Sequence, residues 1–177
     1  NALHELAAKK IGKEAALFMP TGTMSNQVAI LTHCRRGDEM VCDSEAHTFI
    51  WERGGPAVLA AVLPRTVPSR KGVLDPEAVR SVMRPKGSEP RTGLLWIENT
   101  HCWHGGTVTP LPRMQELCEL ASKNEVPVHV DGARVFNAAL ALGVPASEIV
   151  AQADSVTFCL SKGLCCPAGS ILAGSRA

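Results

Sequence analysis

Apolar segments with strand character alternate with helix-like segments along this chain, and several of the strands end at a polar residue. The apolar run 126–130 stops at Asp131, and the apolar run 156–160 stops at Ser161 and Lys162. Alternation of this kind predicts an α/β fold built on a mainly parallel sheet flanked by helices. Ligands bind beyond the carboxyl ends of the strands in such sheets, so the polar strand-end residues are the first candidates for a binding site.

The bounds of the other elements follow from capping residues and from glycine and proline. Asn1 is placed to cap a first helix that Gly12 closes, and Asp75 followed by Pro76 is typical of a helix start. The remaining elements that the pattern predicts are helices at 24–33, at 112–123 and after residue 134, and strands at 15–19, 39–42, 58–63 and 94–97.

Composition excludes several classes of protein. The formal net charge is +1, which gives no basis for binding nucleic acid or an anionic membrane surface. No apolar run approaches the roughly 20 residues that a membrane helix requires. The seven cysteines include no C-x-x-C pair, so we expect reduced thiols rather than a disulfide framework or a zinc site. These features predict a cytoplasmic chain without a metal site, with the mitochondrial matrix as the alternative compartment.

Three of the strand-end features fit a single chemistry. The turn Thr21-Gly22-Thr23 leads into a helix, where free backbone N–H groups and the helix dipole favour a phosphate. Asp131 stays ionised if it meets a cation, and Lys162 at a partly buried strand end can act as a nucleophilic amine. A phosphate site, a carboxylate and a reactive amine are together what pyridoxal phosphate (PLP) requires, which makes PLP the predicted cofactor.

Each of these features taken alone has a purely structural explanation. The glycine turn is compatible with a simple strand-to-helix connection, and Asp131 could cap the helix that follows it. Lys162 alone would be an ordinary surface lysine. His129 shares a strand face with Asp131, and we expect it to be a hydrogen-bonded core histidine. His4 and His33 are expected to be solvated residues on helices.

The same residues lie in sequence blocks that resemble the low-specificity L-threonine aldolases, which belong to the fold type I group of PLP enzymes. The most specific blocks are Glu98-Asn99-Thr100-His101 and the segment that starts at Asp131-Gly132-Ala133-Arg134 and continues to residue 139. The resemblance is collinear and spans essentially the whole chain. Its other blocks are 12–18, 20–27, 43–47 with 54–55, 105–108 and 159–164.

The resemblance implies how the cofactor would be held. Gly22 and Thr23 would bind its phosphate, and His47 would lie over its pyridine ring. Asp131 would keep the ring nitrogen protonated. Arg134 would contact the substrate carboxylate or a cofactor oxygen.

The resemblance also implies which residues take part in the reaction. Lys162 would carry PLP as a Schiff base. His101 would lie near the substrate side chain, where it and a water are our candidates for the base that removes the proton of the β-hydroxyl group. His47, which covers the ring, completes the predicted catalytic set.

The fold and the activity that the resemblance implies are those of the family. We expect an aspartate-aminotransferase-like (fold type I) large domain over residues 1–177, without the N-terminal segment and the C-terminal small domain, since the chain starts at Asn1 and stops at Ala177. The implied reaction cleaves L-threonine or L-allo-threonine to glycine and acetaldehyde. β-Elimination on another amino acid and an inactive remnant are the alternatives. A homodimer or homotetramer acting on a small amino acid is expected.

Overall fold

A seven-stranded sheet forms the centre of the computed structural model, which describes residues 1–85 and 87–176. The spatial order of the strands is β1-β7-β6-β5-β4-β2-β3, and among the strands described only β7 runs antiparallel to its neighbours. The predicted α/β fold with a mainly parallel sheet is therefore confirmed. The strands are β1 (Ala15–Met19), β2 (Glu39–Asp43), β3 (Leu63–Val67), β4 (Thr92–Glu98), β5 (Val128–Asp131), β6 (Ser155–Cys159) and β7 (Ser170–Gly174).

Helices connect the strands, and their ends follow the capping rules. The side chain of Asn1 accepts a hydrogen bond from His4 N, and Gly12 ends the first helix in the left-handed conformation, as predicted. Within the described part of the chain, no helix is both long and apolar enough to cross a membrane. The helices are α1 (Ala2–Ile11), α2 (Gly22–His33), α3 (His47–Ile50), α4 (Gly55–Val58), α5 (Pro76–Val82), α6 (Leu111–Lys123), α7 (Val135–Leu142) and α8 (Ala146–Ile149).

Alternate residues of the central strands face two separate cores. On one face, Leu95 and Ile97 of β4 pack into a cluster with residues of α1, α5, α6, α7 and α8. On the other face, Leu94 and Trp96 pack against Ala29 and other residues of α2. The strands are buried on both faces, which explains why the sequence shows continuous apolar runs in place of a strict alternation.

The strand predicted at 58–63 is wrong. Val58 ends helix α4, and strand β3 begins only at Leu63. Gly54, which has a φ of 72°, is the N-cap of this short helix, and Pro56 lies in its first turn. A short apolar run fits a helix as well as a strand, so periodicity alone could not decide between them.

The register of the sheet places several polar residues side by side at one edge. Glu98 pairs with Asp131, and Asp131 pairs with Thr157, so the last residues of β4 and β5 lie next to each other. Asp43 ends β2, and Lys162 follows β6 by three residues. The carboxyl edge of the sheet is therefore lined by carboxylates with one lysine.

Candidate active site

A cavity of about 430 Å³ opens at the carboxyl edge of the sheet, between the start of α2 and the segment after β6. Five of the predicted site residues line it: Gly22, Thr23, His47, Asp131 and Lys162. The other residues of its wall are Pro20, Thr21, Asn26, Ala133, Thr157, Cys159, Ser161 and Ala168.

Asp131 lies at the base of this cavity as a buried carboxylate. Its Oδ2 accepts a hydrogen bond from Asn26 Nδ2 over 3.0 Å, and its Oδ1 accepts from Ala133 N over 3.2 Å. Burial, followed by the charges of Glu98 and Glu52, raises the pKa of Asp131 to about 6. A cation placed against this carboxylate would relieve both effects, so the site favours a positively charged partner.

Two residues that sequence reasoning missed hold the base of the cavity together. Glu52 is buried, and its carboxylate accepts from Asn26 Nδ2 over 2.9 Å, from Gln27 Nε2 over 2.6 Å and from Thr48 Oγ1 over 3.2 Å. Asn26 thereby bridges Glu52 and Asp131. The signal that could have revealed them is the polar pair Asn26-Gln27 directly before the apolar run 28–31 of α2, which requires polar partners when it is buried.

His47 begins helix α3 at the mouth of the cavity. Its backbone N donates to Glu98 Oε2 over 2.7 Å, and its ring Nδ1 lies 3.5 Å from Glu52 Oε1. The interaction with Glu52 raises the pKa of His47 against the opposing effect of burial, and the charge of Asp131 adds to the rise. Glu98, at the end of β4, was included in a sequence block but was given no role there.

The turn at the start of α2 has the geometry of a helix N-terminus that can hold an anion. Thr21 is the N-cap, and its side chain accepts from Met24 N over 3.1 Å. Gly22 is the first residue of the helix, and a Cβ added to it would lie 2.9 Å from Cys159 Sγ. The close approach of β6 therefore requires glycine here, and the backbone N–H groups of Gly22 and Thr23 stay accessible from the cavity.

Lys162 faces the cavity from the turn after β6 and is half-buried. Within residues 1–85 and 87–176, its amine makes no hydrogen bond or ion pair. The next residue, Gly163, packs so closely on Asn137 that an added Cβ would lie 2.3 Å from Asn137 Oδ1. This contact fixes the backbone from which the lysine projects.

Two of the predicted site residues do not line the cavity. His101 is only 1% exposed, and its Nε2 lies 3.6 Å from Asp43 Oδ1 and 3.8 Å from Glu98 Oε2. Arg134 is half-buried next to Ala133 of the cavity wall. Among the described residues its guanidinium has no hydrogen-bonding or ionic partner, so it remains available to a carboxylate.

The residues present fit PLP. The cavity combines three features of this structure: backbone N–H groups at the start of α2, the buried carboxylate of Asp131 and the unpaired amine of Lys162. Asp131 suits a protonated pyridine nitrogen because it is a buried carboxylate, and a cation beside it would lower its raised pKa.

Comparisons with known proteins find relatives over nearly the whole chain. The chain is 44% identical to low-specificity L-threonine aldolase 1 of Arabidopsis thaliana, over 98% of the chain and 50% of that protein. It is also 44% identical to the low specificity L-threonine aldolase of Escherichia coli K12, over 99% of the chain and 53% of that protein. The chain thus spans about half the length of these relatives.

Solved structures share the fold. A protein of Listeria monocytogenes EGD-E, solved as a candidate L-allo-threonine aldolase, superposes with a TM-score of 0.88 at 26% identity, over 98% of this chain and 47% of that one. The threonine aldolase of Leishmania major has a TM-score of 0.81 at 20% identity, over 95% of this chain and 50% of that one, which supports the fold alone. The model of one family, described as beta-eliminating lyase, matches residues 1–177. The chain therefore belongs to the beta-eliminating lyase family.

Proposed function

We propose that this protein is a PLP-dependent aldehyde lyase that cleaves L-threonine or L-allo-threonine to glycine and acetaldehyde. The observation that carries the proposal is that Asp131 and Lys162 line one cavity with the start of helix α2. The relatives named as low-specificity L-threonine aldolases match this chain over 98% and 99% of its length, which supports the choice of reaction.

The five predicted residues that line the cavity each have a task in this proposal. The N–H groups of Gly22 and Thr23 would hold the cofactor phosphate, and the amine of Lys162 would hold the cofactor through its aldehyde carbon, with loss of water. Asp131 pairs with the protonated ring nitrogen. The bound PLP supplies an electron sink for the pair released when the Cα–Cβ bond breaks. His47, fixed by Glu52, covers the ring.

The substrate is oriented by residues beside the cavity. Arg134 has no partner among the residues described, so its guanidinium can take the substrate carboxylate in a two-point contact. Holding the carboxylate sets which bond of Cα stands across the ring, and this selects Cα–Cβ for cleavage. His101 stays our candidate for the proton acceptor; because it does not line the cavity, it acts through a water that reaches the β-hydroxyl group.

We further infer that residues 1–177 form the large, cofactor-binding domain of a homo-oligomer. The support is an exposed aromatic patch next to the cavity, in which Trp51 and Trp103 lie 5.6 Å apart between ring centroids and Phe49 and Ile50 are also exposed. A second subunit would remove this apolar surface from water. The seven free cysteines support a reducing, cytoplasmic setting.

Reduction with borohydride tests the cofactor site. After PLP is added to the purified protein, borohydride should fix the cofactor on Lys162, and peptide mapping should find the label there. Lys162→Arg should abolish specific labelling, whereas Lys123→Arg, at an exposed lysine of α6, should leave it unchanged. A label spread over surface lysines would contradict the site.

Product analysis tests the reaction. With L-threonine, retro-aldol cleavage yields glycine and acetaldehyde in equal amounts. The family description favours β-elimination as the second candidate. β-Elimination would instead yield pyruvate and ammonia from serine, and pyruvate, ammonia and hydrogen sulfide from cysteine. Formation of pyruvate without acetaldehyde would replace the aldolase assignment with β-elimination.

A further inference from the structure

A line of hydrogen-bonded side chains leads away from Asp131 across the face of the sheet that packs on α2. Asn26 is its first member, because its Nδ2 donates to Asp131. Asn26 Oδ1 accepts from Thr157 Oγ1 over 3.0 Å, and the same hydroxyl lies 3.4 Å from His129 Nε2. All four side chains are buried. His129 is thus a hydrogen-bonded core histidine, as predicted.

The line continues from His129 to the far end of α2. His129 Nδ1 lies 2.7 Å from Ser155 Oγ, which in turn lies 2.6 Å from His33 Nε2. The prediction that His33 is solvated is therefore wrong, because this ring is half-buried against β6. The sheet register accounts for the whole arrangement: His129 pairs with Ser155 and Asp131 with Thr157, so all four share one face.

The carboxylates at one end fix the direction of the first hydrogen bonds. Asn26 Nδ2 donates to both Asp131 and Glu52, so Oδ1 is the atom that faces Thr157. The Thr157 hydroxyl must donate to that oxygen, and it has only one hydrogen. It can then only accept from His129, and this requires a hydrogen on His129 Nε2.

The remaining bonds follow from the neutral state of His129. Burial lowers the pKa of His129 well below its usual value, so the ring carries a single hydrogen. With Nε2 protonated, Nδ1 must accept from the Ser155 hydroxyl, which in turn accepts from His33 Nε2. Trp96 packs against the His129 ring with centroids 4.4 Å apart and holds its plane. Every donor in the line therefore points toward Asp131.

We propose that Thr157 and His129 are positioning residues for the cofactor site and act on Asp131 through Asn26. They hold the Asn26 carboxamide in the one orientation that donates to the two carboxylates, and so keep Asp131 aligned for a protonated ring nitrogen. Without the Thr157 hydroxyl, Asn26 Oδ1 loses this hydrogen bond, and the carboxamide can shift so that Nδ2 moves away from Asp131 Oδ2. The inference rests on the proposed function because it assigns Asp131 to the ring nitrogen of PLP.

The tautomer of His129 tests the direction of the line without any cofactor. In ¹⁵N NMR spectra of the cofactor-free protein, with His129 assigned from backbone connectivities, we expect a neutral ring protonated at Nε2 near neutral pH. A ring protonated at Nδ1, or at both nitrogens, would overturn the proposal. This measurement does not depend on the proposed reaction.

Substitution of Thr157 tests the effect on the cofactor. Thr157→Val keeps the shape of the side chain but removes the hydroxyl, and we expect PLP to bind about tenfold more weakly. The ¹⁵N shift of the ring nitrogen in labelled PLP should move toward that of a neutral pyridine. Thr157→Ser keeps the hydroxyl and should restore both readouts to within about twofold of wild type.

A matched control separates this effect from a general loss of stability. Thr92 is also buried, and its Oγ1 accepts from Arg84 N over 2.9 Å at the opposite end of β4, so Thr92→Val should leave PLP binding unchanged. A folded Thr157→Val protein with wild-type PLP affinity and ring-nitrogen shift would overturn the proposal. If wild-type protein took up no PLP, the proposed function would fail, and the tautomer of His129 would still decide the direction of the line.

Discussion

Asn26 Nδ2 lies 3.0 Å from Asp131 Oδ2 and joins helix α2 to the end of strand β5. The same nitrogen lies 2.9 Å from Glu52 Oε1, so one carboxamide serves two buried carboxylates. A single neutral amide cannot offset two negative charges in a site with little water. The arrangement therefore stores an electrostatic cost that a cationic ligand relieves, and this cost can be measured.

Replacement of Asp131 by Asn should stabilise the cofactor-free protein. Burial and the charges of Glu98 and Glu52 raise the pKa of Asp131 to about 6, above the value of about 3.9 expected in the unfolded chain. The folded state therefore binds this proton more tightly, so stability falls as the pH rises from about 4 to about 6, and the loss persists above that range. At about pH 8 we expect Asp131→Asn to increase the free energy of unfolding in urea by on the order of 2 kcal/mol.

The same substitution should weaken the binding of PLP, because a neutral side chain no longer stabilises the protonated ring nitrogen. Asp75→Asn is the control, since Asp75 caps α5 at an exposed position where Asn caps equally well. Asp75→Asn should change neither the free energy of unfolding nor the affinity for PLP. A destabilised Asp131→Asn protein would show that the carboxylate is held favourably even without a cation.

Replacement of Glu52 by Gln should lower the pKa of His47. The interaction with Glu52 is the largest contribution that raises this pKa, and burial opposes it. Because the pKa is raised in the folded state, the pairing stabilises the protein below about pH 6.5 and its contribution is lost as the pH rises through the folded pKa. A histidine NMR titration of the variant measures the change directly.

Glu45→Gln serves as the control for the Glu52 variant. Glu45 is partly exposed and pairs with His104 over 2.8 Å, so its loss should leave the titration of His47 in place. An unchanged His47 pKa in Glu52→Gln would show that Asp131, and not Glu52, sets the charge of this ring.

The sequence predicted the order of the elements well because caps and breakers are local. Asn1, Gly12 and Asp75 act within a few residues of themselves, and each was found where it was expected. The strand predicted at 58–63 was wrong because the structure of that run is not decided locally. Whether that apolar run becomes helix or strand depends on what covers it. The short α4 packs against α2, and residues 63–67 form the strand of the sheet instead.

The sequence predicted those residues of the site that lie at or just after the ends of strands. Gly22, Asp131 and Lys162 meet in one cavity because the carboxyl ends of parallel strands share an edge. Asn26 was missed because it contacts Asp131 from a helix that is far away in the chain, and Glu52 was missed because it lies in the turn after α3 and not at a strand end. Nothing local in the sequence indicates which carboxylate a buried amide will face.

Replacement of Gly22 by Ala should disturb the start of α2. The added Cβ would lie 2.9 Å from Cys159 Sγ, closer than van der Waals contact allows. We expect a loss of about 1–3 kcal/mol in the free energy of unfolding, together with weaker PLP binding. The double variant Gly22→Ala/Cys159→Ala removes the opposing sulfur, so it should recover most of the loss caused by Ala at position 22.

Cys159→Ala alone provides the fourth corner of this double-mutant cycle. The double variant should lose less stability than the sum of the two single variants, by about the amount that the clash costs. If the two substitutions proved additive, the contact with Cys159 would not be the source of the loss.

The pH dependence of stability should reveal the pair formed by His101 and Asp43. Burial lowers the pKa of His101, but the approach of Asp43 and the charge of Glu98 outweigh it, so the net shift is upward. Burial raises the pKa of Asp43, and contacts that include His101 more than reverse this, so its net shift is downward. The pair is therefore fully charged from about pH 4 to about pH 6.5, between the unfolded pKa values of the two groups.

His101→Gln should consequently lose the most stability inside that window, on the order of 2 kcal/mol. The difference from wild type should narrow as the pH rises through the folded pKa of His101, and also as the pH falls through that of Asp43. Urea unfolding of both proteins across the pH range measures how the difference in stability narrows at high pH and at low pH. A difference that did not change with pH would mean that His101 is held neutral, and that its contribution to the fold is packing rather than charge.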